Sequence, residues 1–232
     1  MKAILMRIRE ETPVRWIDAT PLVAASLLAL GAQAALPSAD TALAELRAGN
    51  SHHVSKKYQR PHQTAARQHA LASSQSPHCA ILTCADSRVP PEIVFDKGLG
   101  DIFDVRVAGN VAGDDETASL EYAAEHLHVP LVVVMGHSDC GALSAALEGG
   151  TLPGKLPNLM AALRPAVDQS AHEPGDRLDN AVRDNVVHVV EQLGSGSPVL
   201  SHLIETGKLR IVGAVYSLET GKVAWLPAPT GG

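Results

Sequence analysis

Pro130 is followed by Leu131, Val132, Val133, Val134 and Met135, and Gly136 closes the run. Five consecutive apolar residues are too few for a helix and show no polar alternation. They specify a strand buried on both faces. Such a strand needs helices on both sides of its sheet, which makes the chain an α/β protein with a mainly parallel central sheet and flanking helices. The stretch 78–84, HCAILTC, is a second short buried run, and Ile102–Gly109 reads as a further strand. Helical spacing at Leu120, Ala123, Ala124 and Leu127 precedes Pro130, which ends that helix. A short helix follows Cys140 and stops at Gly149-Gly150. Longer helical stretches run over Leu156–Gln169 and Leu178–Leu193, and a short one over 198–209. The segment 208–226 closes the chain as a strand, a turn at Glu219–Lys222 and a C-terminal edge strand. Upstream, Asp40–Asn50 reads as a helix capped by Asp40 and stopped by Gly49-Asn50.

At 232 residues the chain suits one domain or two small ones. No linker divides it, and no repeat at solenoid spacing is present. Aromatic residues are 3% of the total, so the core must be built from Ala, Val, Leu and Ile. A net charge of −6 argues against nucleic acid or an anionic membrane surface as partner.

The first 34 residues read as a separate segment. Pro21–Ala34 is an apolar run of signal-peptide length ending in Ala32-Gln33-Ala34, a small-x-small cleavage pattern. It is shorter than the ~20 residues of a membrane-spanning helix. Lys2, Arg7, Arg9 and Arg15 precede it, as a signal requires. Glu10, Glu11 and Asp18 do so too, which is untypical; a true start downstream of Met1, with Met6 as the candidate, is one reading. The expected organisation is a secretory signal over 1–34 and a domain over 35–232, exported to the periplasm and free of the membrane after signal removal. The other reading is an apolar helix packed on the domain of a cytoplasmic protein.

Export would favour disulfides, yet the chain has three cysteines. Cys79 and Cys84 lie five residues apart on one strand, on opposite faces and roughly 16 Å apart. That exceeds the ~7 Å limit for a bridge, so Cys79 reads as a small buried hydrophobe. Cys84 and the pair His137/Cys140 each end a buried strand. In an open α/β sheet such carboxyl ends are where sites are built. Side by side, the two ends would bring two thiolates and an imidazole together, a soft donor set suited to Zn²⁺ with a fourth position left open. Three core residues that merely end apolar strands, and a Cys140 nucleophile with His137 as its base, are the competing readings. In an extended segment Cys84, Asp86 and Arg88 would point the same way. Arg88 could then grip Asp86 in a bidentate pair, lower its pKa and aim it at a metal.

Cys84-Ala85-Asp86-Ser87-Arg88-Val89 together with Gly136-His137-Ser138-Asp139-Cys140-Gly141 resembles the β-class carbonic anhydrases, with their Cys-x-Asp-x-Arg followed by His-x-x-Cys-Gly. The similarity runs from about Leu43 to Leu226 and includes RVAGN (106–110), SLEYA (119–123) and the closing 197–223. The resemblance implies one Zn²⁺ per chain on Cys84, His137 and Cys140, with Asp86 and Arg88 as a catalytic dyad. Asp86 is also a possible fourth ligand in a closed form. Gln75, Val89, Phe103, Tyr122 and Gly141 would line the substrate pocket, some of them from a neighbouring subunit, in a homodimer or a higher even-numbered oligomer. The implied activity is reversible hydration of carbon dioxide to bicarbonate and a proton by a zinc-bound hydroxide, which Asp86 orients.

Hydrolysis of carbonyl sulfide or carbon disulfide at the same zinc, a noncatalytic carbon dioxide or bicarbonate sensor, and a purely structural zinc are the alternatives. His53 stands nearest to the tryptophan from which some members build a noncatalytic bicarbonate site, and Tyr216-Ser217-Leu218 replaces the usual Tyr-Asp-Leu. No sequence feature names a proton shuttle among the eleven histidines, His52, His53 and His62 included.

Overall fold

A computed structural model describes residues 36–227. The signal reading over 1–34 therefore lies outside the described residues. The elements run α1 (Ala39–Ser55), α2 (Ala65–Ala70), β1 (Cys79–Thr83), α3 (Pro91–Val94), β2 (Ile102–Arg106), a 3₁₀ turn (Ala108–Asn110) and α4 (Asp114–Glu125). Then come β3 (Leu131–His137), α5 (Gly141–Glu148), α6 (Leu156–Ser170), α7 (Arg177–Gly196), α8 (Pro198–Glu205), β4 (Arg210–Tyr216) and β5 (Val223–Trp225). The sheet order is β2-β1-β3-β4-β5, with every pair parallel except the last. The expected class is thus the observed one, including the antiparallel C-terminal edge.

Strand periodicity sorts the core into two layers. Ala80 and Leu82 of β1 and Val132 and Val134 of β3 face the layer of α4, α7 and α8. Cys79, Ile81, Leu131, Val133 and Met135 face the layer of α1 and α3. Val132, Val133 and Val134 are all fully buried, each worth about 1.5–3 kcal/mol of hydrophobic transfer. At Gly136 an added Cβ would stand 2.8 Å from Val186 of α7. The glycine between the buried run and His137 thus lets α7 approach the rim of the sheet. Among the described residues no helix is long and apolar enough to cross a membrane.

Several expected boundaries need correction. The first helix is capped by Ser38, whose hydroxyl accepts the Thr41 amide at 3.2 Å, and it runs through Gly49-Asn50 to Ser55. Gly49 is no stop signal: a Cβ there would lie 1.8 Å from the carbonyl oxygen of Phe95, the residue that ends α3, so the glycine permits α1 and α3 to touch. Asn50 is buried and its side chain bonds Val94 O, Gly221 O and the Val223 amide, tying β5 to α1. Helix α4 ends at Glu125, before Pro130, and β2 ends at Arg106 because the chain turns at Ala108–Asn110. The short helices α2 and α3 had no clear periodic signal.

Candidate active site and metal centre

Strands β1 and β3 are neighbours, with Thr83 opposite Met135, so their carboxyl ends share one rim. Cys84 Sγ, a His137 ring nitrogen and Cys140 Sγ converge there within 4.8 Å of one another, and all three residues are buried. His137 belongs to β3, while Cys140 stands at the N-terminus of α5. Leu143, Leu163 and Val182 pack around the cysteines from α5, α6 and α7.

Two of the three donors, His137 and Cys84, are held by hydrogen bonds from outside the set. His137 Nδ1 donates to Ser138 O at 2.9 Å, which leaves the Nε2 lone pair facing the sulfurs. Nε2 is buried and has no hydrogen-bond partner. Ser138 is fixed in turn, since its amide donates to Tyr216 O at 2.9 Å and its hydroxyl accepts from the Leu218 amide at 3.0 Å. The Gly109 amide donates to Cys84 Sγ at 3.3 Å. The Cys140 thiol, together with His137 and that amide, holds the Cys84 pKa far below the ordinary thiol value. The Cys84 sulfur and burial push Cys140 the opposite way. Burial disfavours a charged His137, but Cys84 and the Ser138 carbonyl outweigh it and raise its pKa. Cys84 is thus the thiolate of the set, and Cys140 and His137 hold their protons more tightly beside it. An orphaned imidazole nitrogen facing two sulfurs is the donor set a soft divalent metal takes.

Asp86 lies beside this set, its Oδ2 3.9 Å from His137 Nε2. Arg88 grips it with Nε on Oδ1 at 2.9 Å and Nη2 on Oδ2 at 2.7 Å, and the Arg88 amide adds a third bond to Oδ1 at 2.9 Å. The expected bidentate pair is present, but its origin needs correction. Strand β1 ends at Thr83, and residues 87–88 form a turn. The chain turns there, with the Val89 amide on Asp86 O at 3.1 Å, and the turn rather than strand alternation brings the two side chains together. Arg88 holds the Asp86 carboxyl well below the usual carboxylate range. Arg88 also reaches the second loop, at Asp139 O (3.2 Å) and Asp139 Oδ2 (3.5 Å). Asp139 adopts a left-handed φ of 53°.

The remaining pocket residues are dispersed. Gly141 adjoins Cys140, and a Cβ added there would meet nothing within 4 Å. Val89 is fully buried beneath the rim, in the core layer of α1 and α3. Phe103 pairs in register with Ala80, four residues before Cys84, or about 13 Å along the strand. Tyr122 is 47% exposed and its ring lies 6.2 Å from that of Phe103. Gln75 is exposed in the segment entering β1 from the end away from Cys84. The three histidines considered as proton carriers have other partners: His52 bonds Asp96, His62 bonds Asp101, and buried His53 bonds Tyr58 and Tyr216. Cys79 is buried and free, its thiol pushed up to about 12 by burial, as expected of a packing residue.

Sequence reasoning missed the supports: Ser138, Gly109, Asp139 and Arg106. Arg106 alone carried a legible signal, as a charged residue within a short strand.

The sequence profile of the carbonic anhydrase family matches residues 79–223. Carbonic anhydrase 2 of Mycobacterium tuberculosis is 40% identical over 181 residues, covering 76% of this chain and 87% of that protein. Among solved structures, the chain resembles a Coccomyxa β-carbonic anhydrase in complex with acetazolamide (29% identity, TM-score 0.63, 81% of this chain and 82% of that one). It also resembles tetrameric β-carbonic anhydrases of the filamentous ascomycete Sordaria macrospora (26% identity, TM-score 0.65, 83% and 100%). The chain belongs to the β-carbonic anhydrase family, and carbonic anhydrase activity, a lyase reaction on carbon dioxide, comes with that membership.

Proposed function

We propose that the chain catalyses reversible carbon dioxide hydration with one Zn²⁺ held by Cys84, His137 and Cys140, and with Asp86 and Arg88 orienting the nucleophile. The observation that carries this reading is the buried, unpartnered His137 Nε2 facing two cysteine sulfurs. When bound, the zinc supplies a hydroxide nucleophile at neutral pH by lowering the pKa of a coordinated water from 15.7 to about 7. Asp86 stays ionised at any physiological pH, so it is a poor proton store and a good fixed acceptor. With a metal bound, its Oδ2 would stand beside the ligand set to accept a hydrogen bond from the nucleophile and so orient it. Arg88 engages both Asp86 oxygens, so ligation of a metal by Asp86 would compete with that grip.

Stopped-flow CO₂ hydration by the zinc-loaded full chain tests this, with Asp86→Ala as the comparison. Fast hydration that falls by at least 10²-fold in the variant, at unchanged zinc content, is the expected result. One bound zinc without hydration would defeat the reading and make carbonyl sulfide the next substrate.

We further propose that the working unit is a dimer. Strand β2 is an open edge of the sheet. Exposed Ile93 of α3, Leu99 just before β2 and Tyr122 of α4 flank that strand. With Phe103, Tyr122 and Gln75 lying away from their own Cys84, a second copy is the natural source of those pocket walls. Residues 1–34 are proposed to direct export. N-terminal sequencing of protein from the exported fraction tests that, and an intact Met1 or Met6 would refute it.

A further inference from the structure

We infer that Arg106 is a positioning residue for the metal-bearing turn, holding it from the neighbouring strand. Its Nε and Nη2 donate to Cys84 O at 3.1 and 3.0 Å, and Nη2 donates again to Asp86 O at 2.6 Å. Two carbonyls of one turn thus converge on one guanidinium. One belongs to a proposed zinc ligand and the other to the carboxylate beside it.

Besides Arg106, the turn is held by the Val89 amide on Asp86 O, the Gly109 amide on Cys84 Sγ and the Arg88 bonds to Asp86 and Asp139, of which only the Gly109 bond comes from a separate buried segment. Strand β1 ends at Thr83, and the backbone ladder to β2 ends with the Ala85 amide on Val107 O at 3.1 Å. Beyond that point the Asp86 side chain is bonded only to Arg88, which is itself half exposed. Arg106 supplies the fixed end. It is half-buried on β2, and the parallel register places it opposite Thr83, the residue before Cys84. Its planar fork engages both carbonyls at once, which a lysine ammonium cannot do with the same geometry. Rotation of the 84–86 backbone, which would swing Cys84 Sγ and the Asp86 carboxylate together, must break these charge-assisted bonds.

Arg106 bonds main-chain carbonyls and none of the donor atoms, so it acts through Cys84 and Asp86. Because β2 is also the proposed dimer edge, the same side chain ties the metal-bearing turn to the strand that a second copy would cover. This inference rests on the proposed metal reading of Cys84, His137 and Cys140.

The test compares the full-length wild type with Arg106→Gln and Arg106→Lys. Metal affinity is read by chelator competition, ligand geometry by the visible spectrum of the Co²⁺-substituted protein, and turnover by stopped-flow hydration with kcat and KM resolved. Loss of a group that orients a metal ligand costs roughly 10–100-fold in affinity or activity. Arg106→Gln is expected to lose that much in metal affinity and kcat, with KM little changed and an altered Co²⁺ spectrum. Arg106→Lys is expected to recover part of each.

A residue that merely satisfies strand-end carbonyls would lower the melting temperature and leave affinity, spectrum and kcat at wild-type values; that result overturns the inference. Should Arg106→Gln not fold, Arg106→Lys decides alone, and wild-type values on all three readouts overturn it. Affinity and spectrum do not need turnover. A wild type that binds metal but does not hydrate CO₂ would therefore count against the proposed function alone, and Arg106 would still be judged on those two.

Discussion

Arg88 shows how much geometry a single side chain can decide. Its two parallel bonds to Asp86 and its reach to Asp139 need a planar fork. Arg88→Lys keeps the charge but loses the fork. CO₂ hydration by this variant is expected to fall roughly 10–100-fold at unchanged zinc content, checked by stopped flow beside elemental analysis. Gly49 makes the same point for stability. Alanine is the better helix former by about 1 kcal/mol, yet its Cβ would meet the Phe95 carbonyl at 1.8 Å. Gly49→Ala should therefore lower the melting temperature, with a cost of about 1–3 kcal/mol or more read from denaturant unfolding.

At the scale of elements, α6 and α7 form a pair in which Asp184 is under-satisfied. Its Oδ2 is buried without a partner. Burial and the nearby Glu173 push its pKa up to about 6, against a smaller opposing pull from Arg183. His188 and Glu191 line the same hollow. An acid whose pKa rises on folding takes up a proton as the chain folds. Its contribution to stability is therefore fully present below the unfolded value of 3.8 and lost as pH rises through about 6. Asp184→Asn mimics the protonated form. It should raise the melting temperature at pH 8 and change it clearly less at pH 4.5, as thermal unfolding at the two pH values would check.

For the whole molecule, the open β2 edge and the displaced Phe103, Tyr122 and Gln75 predict that assembly and activity are coupled. Tyr122→Arg places a charge on the exposed aromatic beside that edge. Sedimentation velocity should show a smaller species than wild type, and hydration should fall in proportion to the dimer lost. A monomeric wild type with full activity would refute the coupling.

The two strand-end motifs and the class of the fold are legible in the sequence alone, because both are written in short-range pattern. Five apolar residues in a row demand burial on both faces, and Cys84, His137 and Cys140 sit where such strands stop. The same holds for the choice of Arg88 as the partner of Asp86, two residues away. Local pattern carries no information about encounters between distant segments. Gly49 reads as a helix stop until Phe95 arrives against it, and Asn50 until Gly221 and Val223 do. Arg106 reads as an edge-strand charge until the parallel register sets it beside Thr83 and its guanidinium finds the carbonyls of Cys84 and Asp86. Sequence determined which residues can bind and react. Packing between elements far apart in the chain decided which of them meet, because hydrogen bonds and close contacts form only after the sheet has set its register.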